Sequence, residues 1–287
     1  MNNRFAECSK SEVDFSRQQE IQTAIENSVW DKIEPTKNLT NATIDFEITG
    51  SNDKYIDLSE IHLFVNIKVT GIGANAVSLS NNVLHTLFKN VEVKINNTTV
   101  SNTSNKYPYK AYLENLLGYN KECKETFLQC EGWYEDDKFD DINLTAENIV
   151  GNKGFQIRNS LFKSENDVEL SGLLHLDISS VDRLLMNNNN VLINLKKNDN
   201  TFILLGDATK APGVKIEYKN IFILVRRVSV SPSIMLANTL LLEKQPASYP
   251  FKRVLVTEVN GSFKSTSCTF SDITSGVMPT HVIVGFV

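Results

Sequence analysis

Hydrophobic and polar residues alternate along many short segments of this chain, and a period of two is typical of half-buried β-strands. The clearest examples lie at residues 44–48, 61–69 and 91–95. The same pattern predicts further strands at residues 168–178, 190–197, 201–205 and 214–230. Residues 221–225 are apolar on both faces, which favours a strand that is covered on both sides.

One segment among these strands has the period of an amphipathic helix. Pro108 suits the first helical position, and Gly118 follows the last periodic residue, where it can take a left-handed cap. The residues expected to form its buried apolar stripe are Tyr109, Tyr112, Leu113, Leu116 and Leu117. The sequence therefore predicts a helix at residues 108–118, inserted between strands.

Three further helices are predicted with less regular patterns. Near the amino terminus, apolar residues recur every four positions at Ile21, Ile25, Val29 and Ile33, which is compatible with a helix. A second helix is possible at residues 121–130. A third is expected to begin after Ser231 as its N-cap and to end near residue 245, before a proline.

Many short strands with helices only as inserts predict an all-β protein, and about eight to ten strands fit a jelly-roll sandwich. We expect an N-terminal arm at residues 1–41, a first jelly roll at 42–230 and a connecting helix at 231–248. Residues 249–287 again carry strand patterns but are too few to bury a core alone. They are expected to be the start of a second jelly roll, or strands added to the first.

The composition limits the classes of function. The chain has 287 residues, 41% hydrophobic and 22% charged, with a net charge of −5, as in ordinary globular proteins. The acidic balance argues against a dedicated, sequence-specific nucleic-acid binder. The amino terminus lacks the apolar core of a secretory signal, and no apolar run is long enough for a membrane span. The cysteines are expected to be free thiols; they are Cys8, Cys123, Cys130 and Cys268.

Enzyme-like motifs are weak. The run 71–76 matches a dinucleotide-binding fingerprint, with Glu92 about 20 residues further on, but a glycine-rich turn between strands accounts for it as well. The four histidines are isolated in sequence and have no metal-ligand spacing; they are His62, His85, His175 and His281. We therefore predict a non-enzymatic protein with no catalytic, cofactor or metal residues.

Two charged groups have alternative interpretations. An acidic cluster could bind Ca²⁺ or be a solvated loop; it consists of Glu135, Asp136, Asp137, Asp140 and Asp141. A basic concentration could meet phosphates, lie at a solvated strand end or form a subunit contact; it consists of Lys215, Lys219, Arg226, Arg227, Lys252 and Arg253.

Several motifs, in their order and spacing, resemble the hexon-like major capsid proteins of Polinton/Maverick elements and the related adintoviruses. The helix residues 107–114, Tyr-Pro-Tyr-Lys-Ala-Tyr-Leu-Glu, are the most specific piece. The others lie at residues 8–14, 22–26 with Trp30, 44–50, 55–58, 172–177, 182–185, 225–228, 231–232, 242–244, 249–254 and 282–287.

This resemblance implies a double jelly roll and a homotrimer that serves as a pseudo-hexameric capsomer. The implied partners are other copies of the chain, neighbouring capsomers and a penton protein. The implied location is the virion, assembled inside the host cell and not secreted. The arm would order on a neighbouring subunit. Subunit contacts are expected at Tyr107, Pro108, Tyr109, Tyr112, Arg226 and Arg227, where the tyrosines could equally be packing residues.

The chain departs from the family pattern in two places. Its arm carries Arg-Gln-Gln-Glu at residues 17–20, where relatives tend to have prolines. It also ends early in the expected second jelly roll, which implies a fragment or a truncated endogenous copy. Two alternatives stay open: a single-jelly-roll penton or minor capsid protein, and a β-sandwich module that binds glycans or a receptor.

Overall fold

A computed structural model describes residues 23–72, 77–138, 151–206, 213–258 and 278–285. The strands are β1 (Ile25–Ile33), β2 (Thr43–Ile48), β3 (Lys54–Thr70), β4 (Val77–Leu79), β5 (Phe88–Ile95), β6 (Thr98–Asn102), β7 (Asp167–Leu173), β8 (Val191–Lys197), β9 (Leu204–Gly206) and β10 (Lys215–Val230). The helices are α1 (Val83–Thr86), α2 (Tyr107–Gly118), α3 (Lys121–Glu125), α4 (Lys153–Phe162), α5 (Asn200–Ile203) and α6 (Pro232–Leu242), with 3₁₀ helices at Phe127–Glu131 and Asp177–Ser180.

Eight of the strands form two antiparallel sheets of four. The first sheet has the order β1-β10-β3-β7 and the second has the order β2-β8-β5-β6. When the short pair β4 and β9 is set aside, the first strand pairs with the eighth, the second with the seventh, the third with the sixth and the fourth with the fifth. This nested pairing is what a long antiparallel ribbon produces when it wraps around a barrel, so the fold is a jelly-roll sandwich.

The core lies between the two sheets and follows the alternation in the sequence. Ile44, Phe46 and Ile48 on β2 are fully buried, and the inward-facing residues of β3 and β8 pack with them in one cluster. The predicted strands at residues 44–48, 61–69, 91–95, 190–197 and 214–230 are confirmed. Each second residue of these strands points into the core, since successive side chains alternate across a sheet.

β10 is apolar on both faces, but only one face lies in the core. Ile221, Ile223 and Val225 are buried between the sheets, whereas Phe222 is partly buried on the outer face. There the Phe222 ring stacks on Phe64 of β3, with ring centroids 4.8 Å apart. Phe222 on the outer face of β10 is therefore covered by a neighbouring side chain of the same sheet.

The predicted amino-terminal helix is wrong for the residues that the structure describes. Residues 25–33 form β1, which pairs antiparallel with β10 so that Trp30 lies opposite Arg226 and Asp31 opposite Val225. Residue 21 lies outside the described part. Because β1 completes the first sheet, this segment belongs to the sandwich, and the other proposed domain boundaries stay predictions.

Other local predictions need correction. Residues 201–205 were expected to be a strand, but α5 occupies most of this segment and β9 begins only at Leu204. The predicted strand at 168–178 ends at Leu173, and a 3₁₀ helix follows at Asp177–Ser180. Residues 249–258 and 281–285 form no strand, because no neighbouring strand pairs with them within the described residues. Helix α3 covers the first half of the helix predicted at 121–130, and a separate 3₁₀ helix follows at Phe127–Glu131. Helix α6 confirms the prediction after Ser231, although it ends at Leu242 and the Ser231 side chain makes no capping hydrogen bond.

Candidate assembly surfaces and a buried polar cluster

Helix α2 buries a different face from the one that its apolar pattern predicts. The fully buried positions Tyr107, Ala111 and Asn115 follow one another at intervals of four, and Lys110 lies beside them with 2% of its surface exposed. By contrast, Leu117 is 61% exposed. The predicted stripe is wrong because the helix docks on polar groups of neighbouring loops. The predicted left-handed cap at Gly118 is also wrong, since Gly118 is the last helical residue and an extended Tyr119 follows it.

A hydrogen-bonded cluster lies beneath α2. His85 of α1 is fully buried; its Nδ1 lies 2.9 Å from the hydroxyl of Tyr107, and its Nε2 lies 3.2 Å from Oε2 of Glu131. Nδ2 of Asn115 donates to the same carboxylate oxygen at 2.8 Å. His175, in the loop after β7, places Nδ1 2.7 Å from Oε2 of Glu114. The cluster thus joins α1, α2, the 3₁₀ helix at Phe127–Glu131 and the loop after β7.

Burial and hydrogen bonding determine the protonation of this cluster. Burial lowers the pKa of His85, because the imidazolium would lose its hydration, so the ring is neutral. Burial acts to raise the pKa of Glu131, but His85 and Asn115 favour the carboxylate, and the pKa lies below its ordinary value. Burial raises the pKa of Tyr107, which keeps its hydroxyl protonated. Tyr107 can then donate to Nδ1 of His85, while the Nε2–H of His85 donates to Glu131.

An ion pair of Lys110 lies on the same buried side of α2. Nζ of Lys110 lies 2.5 Å from Oδ1 of Asp177 and donates to the backbone oxygen of His175 at 3.1 Å. Asp177 is also buried, and its Oδ2 accepts a hydrogen bond from Ser101 of β6 at 2.9 Å. These contacts tie the inserted helix to the second sheet and to the loop after β7.

Most of the residues in this cluster were not expected from the sequence. His85 and His175 are 90 positions apart, and Glu131 lies between them without any local motif. These two histidines are isolated in the sequence, but the fold brings their ring centroids to 4.7 Å of each other. One feature could have pointed to α2, namely a lysine and an asparagine on a helix of otherwise apolar and aromatic residues.

The acidic cluster makes internal contacts where the structure describes it. Asp136 lies 2.7 Å from the guanidinium of Arg158, which is fully buried and also donates to the backbone oxygens of Leu79 and Tyr134. Asp137 accepts a hydrogen bond from the backbone of Lys153. Asp140 and Asp141 lie outside the described residues. The carboxylates of Asp136 and Asp137 thus anchor α4, which favours a structural role for these two residues.

The arginines of β10 are paired with acidic residues. Arg226 lies 3.4 Å from Asp57. Arg227 donates to Asp31 at 2.8 Å and to the backbone oxygen of Thr49 at 2.9 Å. Arg227 and Asp31 line an open groove of about 320 Å³, together with Val29, Thr49, Gly50, Ser51 and Lys54. Because both arginines have carboxylate partners, these contacts favour a structural role over phosphate binding.

Exposed apolar residues on α6 form a candidate assembly surface. Helix α6 rests on the sandwich through Ile234 and Met235, which pack against Tyr55, Val228 and Val230. Four leucines of this helix are exposed, of which Leu236 is 63% exposed; the others are Leu240, Leu241 and Leu242. We call these four residues the α6 leucine patch. Exposed apolar patches of this kind mark interaction sites.

The remaining predicted site residues fall in different surroundings. Tyr107 is buried within the chain, and Pro108 beside it is also buried. Tyr109 contacts Phe202 edge to face, and Tyr112 stacks on Trp133 with ring centroids 5.0 Å apart. The tyrosines therefore pack within the chain, and a role for this group in subunit contact stays a prediction.

Among the residues that the structure describes next to the glycine-rich run, none forms the helix that a dinucleotide site needs. Gly71 follows β3 with φ +86°, residues 73–76 lie outside the described part, and strand β4 begins at Val77. A phosphate of a dinucleotide binds at a helix N-terminus directly after such a loop. A turn between strands is therefore the interpretation that fits. Among the described residues, no helix is both long and apolar enough to cross a membrane.

No protein-family model matches this chain. A curated protein of Caenorhabditis elegans, described as uncharacterized protein F54H12.2, is 25% identical over 247 residues, which cover 80% of this chain and 55% of that protein. The Faustovirus major capsid protein is similar in structure, with a TM-score of 0.50 and 10% identity over 81% of this chain and 58% of that one.

Two further solved structures are similar at lower scores. The Sputnik virophage structure matches with a TM-score of 0.47 and 12% identity, over 81% of this chain and 53% of that one. The mavirus major capsid protein matches with a TM-score of 0.40 and 15% identity, over 78% and 50%. The chain spans about half the length of the relatives that it matches. The likeness to the Faustovirus protein shows the fold, which is a jelly-roll sandwich.

Proposed function

We propose that this chain is a structural virion protein, a major capsid protein whose copies form the tiles of an icosahedral shell. The nested pairing of the eight strands carries the proposal, because it is the jelly-roll order. The likeness to the fold of the Faustovirus major capsid protein supports the same assignment. The role is non-enzymatic, and the place of action is the virion, after assembly inside the host cell.

The finer proposal is a hexon-like protein of the Polinton/Maverick and adintovirus type. Sequence motifs along most of the chain support it, and the most specific one forms the first two turns of α2. In this proposal, β1 to β10 form the first jelly roll, α6 is the connecting helix and residues from 249 begin a second jelly roll. Three copies assemble into a pseudo-hexameric capsomer, which contacts neighbouring capsomers and a penton protein.

The α6 leucine patch supports an assembly role. Leu236 and Leu240 lie one turn apart on the helix side that faces away from the sandwich, and both are more than half exposed. Burial of such side chains in an interface stabilises it by about 25 cal/mol for each Å² of apolar surface that is removed from water. A structural protein gains this stabilisation when it packs against further chain segments or other copies.

Assembly can be measured on the protein expressed from its complete reading frame. We expect trimers by mass photometry and hexagonal tiles or shells by electron microscopy. The double substitution Leu236→Ser with Leu240→Ser should reduce the trimer fraction. As a matched control, Leu161→Ser changes a leucine that is 38% exposed on α4 and should assemble normally. A protein that stays monomeric at high concentration and forms no particles would contradict the proposal.

A penton or minor capsid protein is the second candidate. It is favoured by one observation, namely that the residues described by the structure contain a single eight-stranded sandwich. The same mass measurement separates the candidates, because a penton protein should form pentamers. Pentamers without trimers would favour this candidate over the hexon-like tile.

A further inference from the structure

We propose that His85, Glu131 and His175 bind a single Zn²⁺ ion in the buried polar cluster beneath α2. Each residue offers one ligand atom, and these atoms lie within 4.8 Å of one another. His85 is fully buried, Glu131 is 4% exposed, and the side chain of His175 is 11% exposed. The three come from α1, a 3₁₀ helix and the loop after β7, so the ion would cross-link three separate segments.

The orientation of both imidazole rings fits a metal site. Nδ1 of each ring is held by an oxygen, that of Tyr107 for His85 at 2.9 Å and that of Glu114 for His175 at 2.7 Å. This leaves Nε2 for the ion on both rings. Histidines that bind metals usually hold their other ring nitrogen in this way, which fixes the ring and its tautomer.

One ring nitrogen of the two histidines lacks a hydrogen-bond partner among the described residues. This atom is Nε2 of His175, which is buried. A buried polar atom without a partner is costly, and such an atom in a native protein calls for an explanation such as an ion. Beside it, Nε2 of His85 and Oε2 of Glu131 are already 3.2 Å apart. Ligand atoms bound to one tetrahedral Zn²⁺ at about 2.0–2.2 Å stand roughly 3.3–3.5 Å apart.

The donor set selects the ion. Two imidazole nitrogens and one carboxylate oxygen suit Zn²⁺, whereas Ca²⁺ and Mg²⁺ require several oxygen ligands. Three protein ligands leave a fourth position, which a water molecule can take. Asn115 is fully buried next to Glu131, and its Oδ1 has no partner among the described residues, so it can accept a hydrogen bond from that water.

The fold reserves space for the carboxylate of Glu131. A Cβ atom on Gly172 of β7 would lie 2.4 Å from Oε1 of Glu131 and 2.6 Å from its Cδ. Glycine is thus the only residue type at this position that leaves the carboxylate where it stands. Binding of the ion through Nε2 would require the other neutral tautomer of His85, in which the ring proton has moved from Nε2 to Nδ1. The Nδ1–H of His85 would then donate to Tyr107, whose hydroxyl can accept as well as donate.

Zn²⁺ itself is the probe for the test. The full protein is treated with a chelator, dialysed against Zn²⁺ and analysed for metal content and Tm. We expect one Zn²⁺ per chain and a Tm that rises with Zn²⁺ concentration, as for any ligand that binds only the folded state. The Co²⁺-substituted protein should give a tetrahedral spectrum without a thiolate charge-transfer band.

Two substitutions and two controls make the test specific. His175→Gln, at the least buried ligand, should lower Zn²⁺ affinity by at least about tenfold, and Glu114→Gln by about 10- to 100-fold. His62→Gln, on the outer face of β3, should bind normally. Serine at all four cysteines should also leave binding intact; these are Cys8, Cys123, Cys130 and Cys268.

Near-ultraviolet circular dichroism of each variant confirms that it is folded. The inference is overturned if the folded protein takes up no Zn²⁺. It is equally overturned if His175→Gln binds as tightly as the unaltered protein, or if the cysteine variant loses the ion. None of these outcomes depends on capsid assembly, so this inference and the proposed function are tested separately.

Discussion

The ion pair between Lys110 and Asp177 should be one of the strongest determinants of stability outside the apolar core. Lys110 is 2% exposed, its Nζ lies 2.5 Å from Asp177, and Ser101 holds the second oxygen of that carboxylate. Replacing Asp177 with Ala leaves a buried ammonium with the backbone oxygen of His175 as its acceptor and with the carboxylate of Glu114 at a longer distance of 3.8 Å. Breaking a buried pair in this way costs about 3–5 kcal/mol.

Urea unfolding followed by circular dichroism measures this cost as a change in the free energy of unfolding, and Tm should fall by about 10 °C. The double variant Lys110→Met with Asp177→Ala should lose less free energy of unfolding than the sum of the losses in the two single variants. We expect the difference to be about 1–3 kcal/mol, because the double variant leaves neither charge without its partner. The control is Glu125→Ala, which removes an exposed pair with Lys121 on α3 and should cost about 0.5 kcal/mol or less.

A loss below about 1 kcal/mol for Asp177→Ala, no larger than that of the control, would refute this reasoning. It would mean that water reaches the ammonium of Lys110 and that α2 is not docked on the loop after β7. Additive single losses would refute the coupling between the two charges even if each loss were large.

Three further predictions concern packing, a buried charge and pH. Gly172→Ala should lower the free energy of unfolding by about 1–3 kcal/mol, because its methyl group meets the carboxylate of Glu131. Arg158→Met should cost about 3–5 kcal/mol, since a buried guanidinium with three hydrogen bonds is lost and its acceptors remain unpaired. Burial raises the pKa of Tyr218, so its hydroxyl stays protonated in the fold while an unfolded tyrosine ionises near pH 10. The stability that it contributes should therefore be intact below about pH 10 and decline above it, and Tyr218→Phe should weaken that decline.

Each of these predictions has a control measured by the same urea unfolding. Gly118→Ala has no atom within 4 Å of the new methyl group and should stabilise α2 by about 0.5–1 kcal/mol, so a loss there equal to that of Gly172→Ala would contradict the packing argument. Arg183→Met removes an exposed arginine and should change little. If Tyr218→Phe leaves the stability profile between pH 9 and 11 unchanged, the burial argument fails.

The sequence predicted the strands well wherever one face had to be buried. In β3 the alternation of Ile61, Leu63 and Val65 with polar residues leaves a single way to place the apolar face. Pro108 likewise indicated the start of α2 to within one residue. Both features depend on neighbouring residues, and local periodicity is sufficient to specify them.

The amino-terminal segment shows where local patterns fail. Ile25, Val29 and Ile33 are spaced by four, and four residues return to the same face both in a helix and in a strand. The period therefore could not distinguish the two structures. Pairing with β10, about 200 residues away, supplies the backbone hydrogen bonds that make this segment a strand.

The sequence by itself determined an all-β chain, the strand faces of its core and an inserted helix between β6 and β7. Only the tertiary structure decided which side of that helix is buried and which polar groups meet there. Lys110 on α2 meets Asp177, and His85 meets Glu131 and His175, across separations of 44 to 90 residues. The nested strand pairing brings these loops together, and no short-range spacing of residues can encode such a meeting.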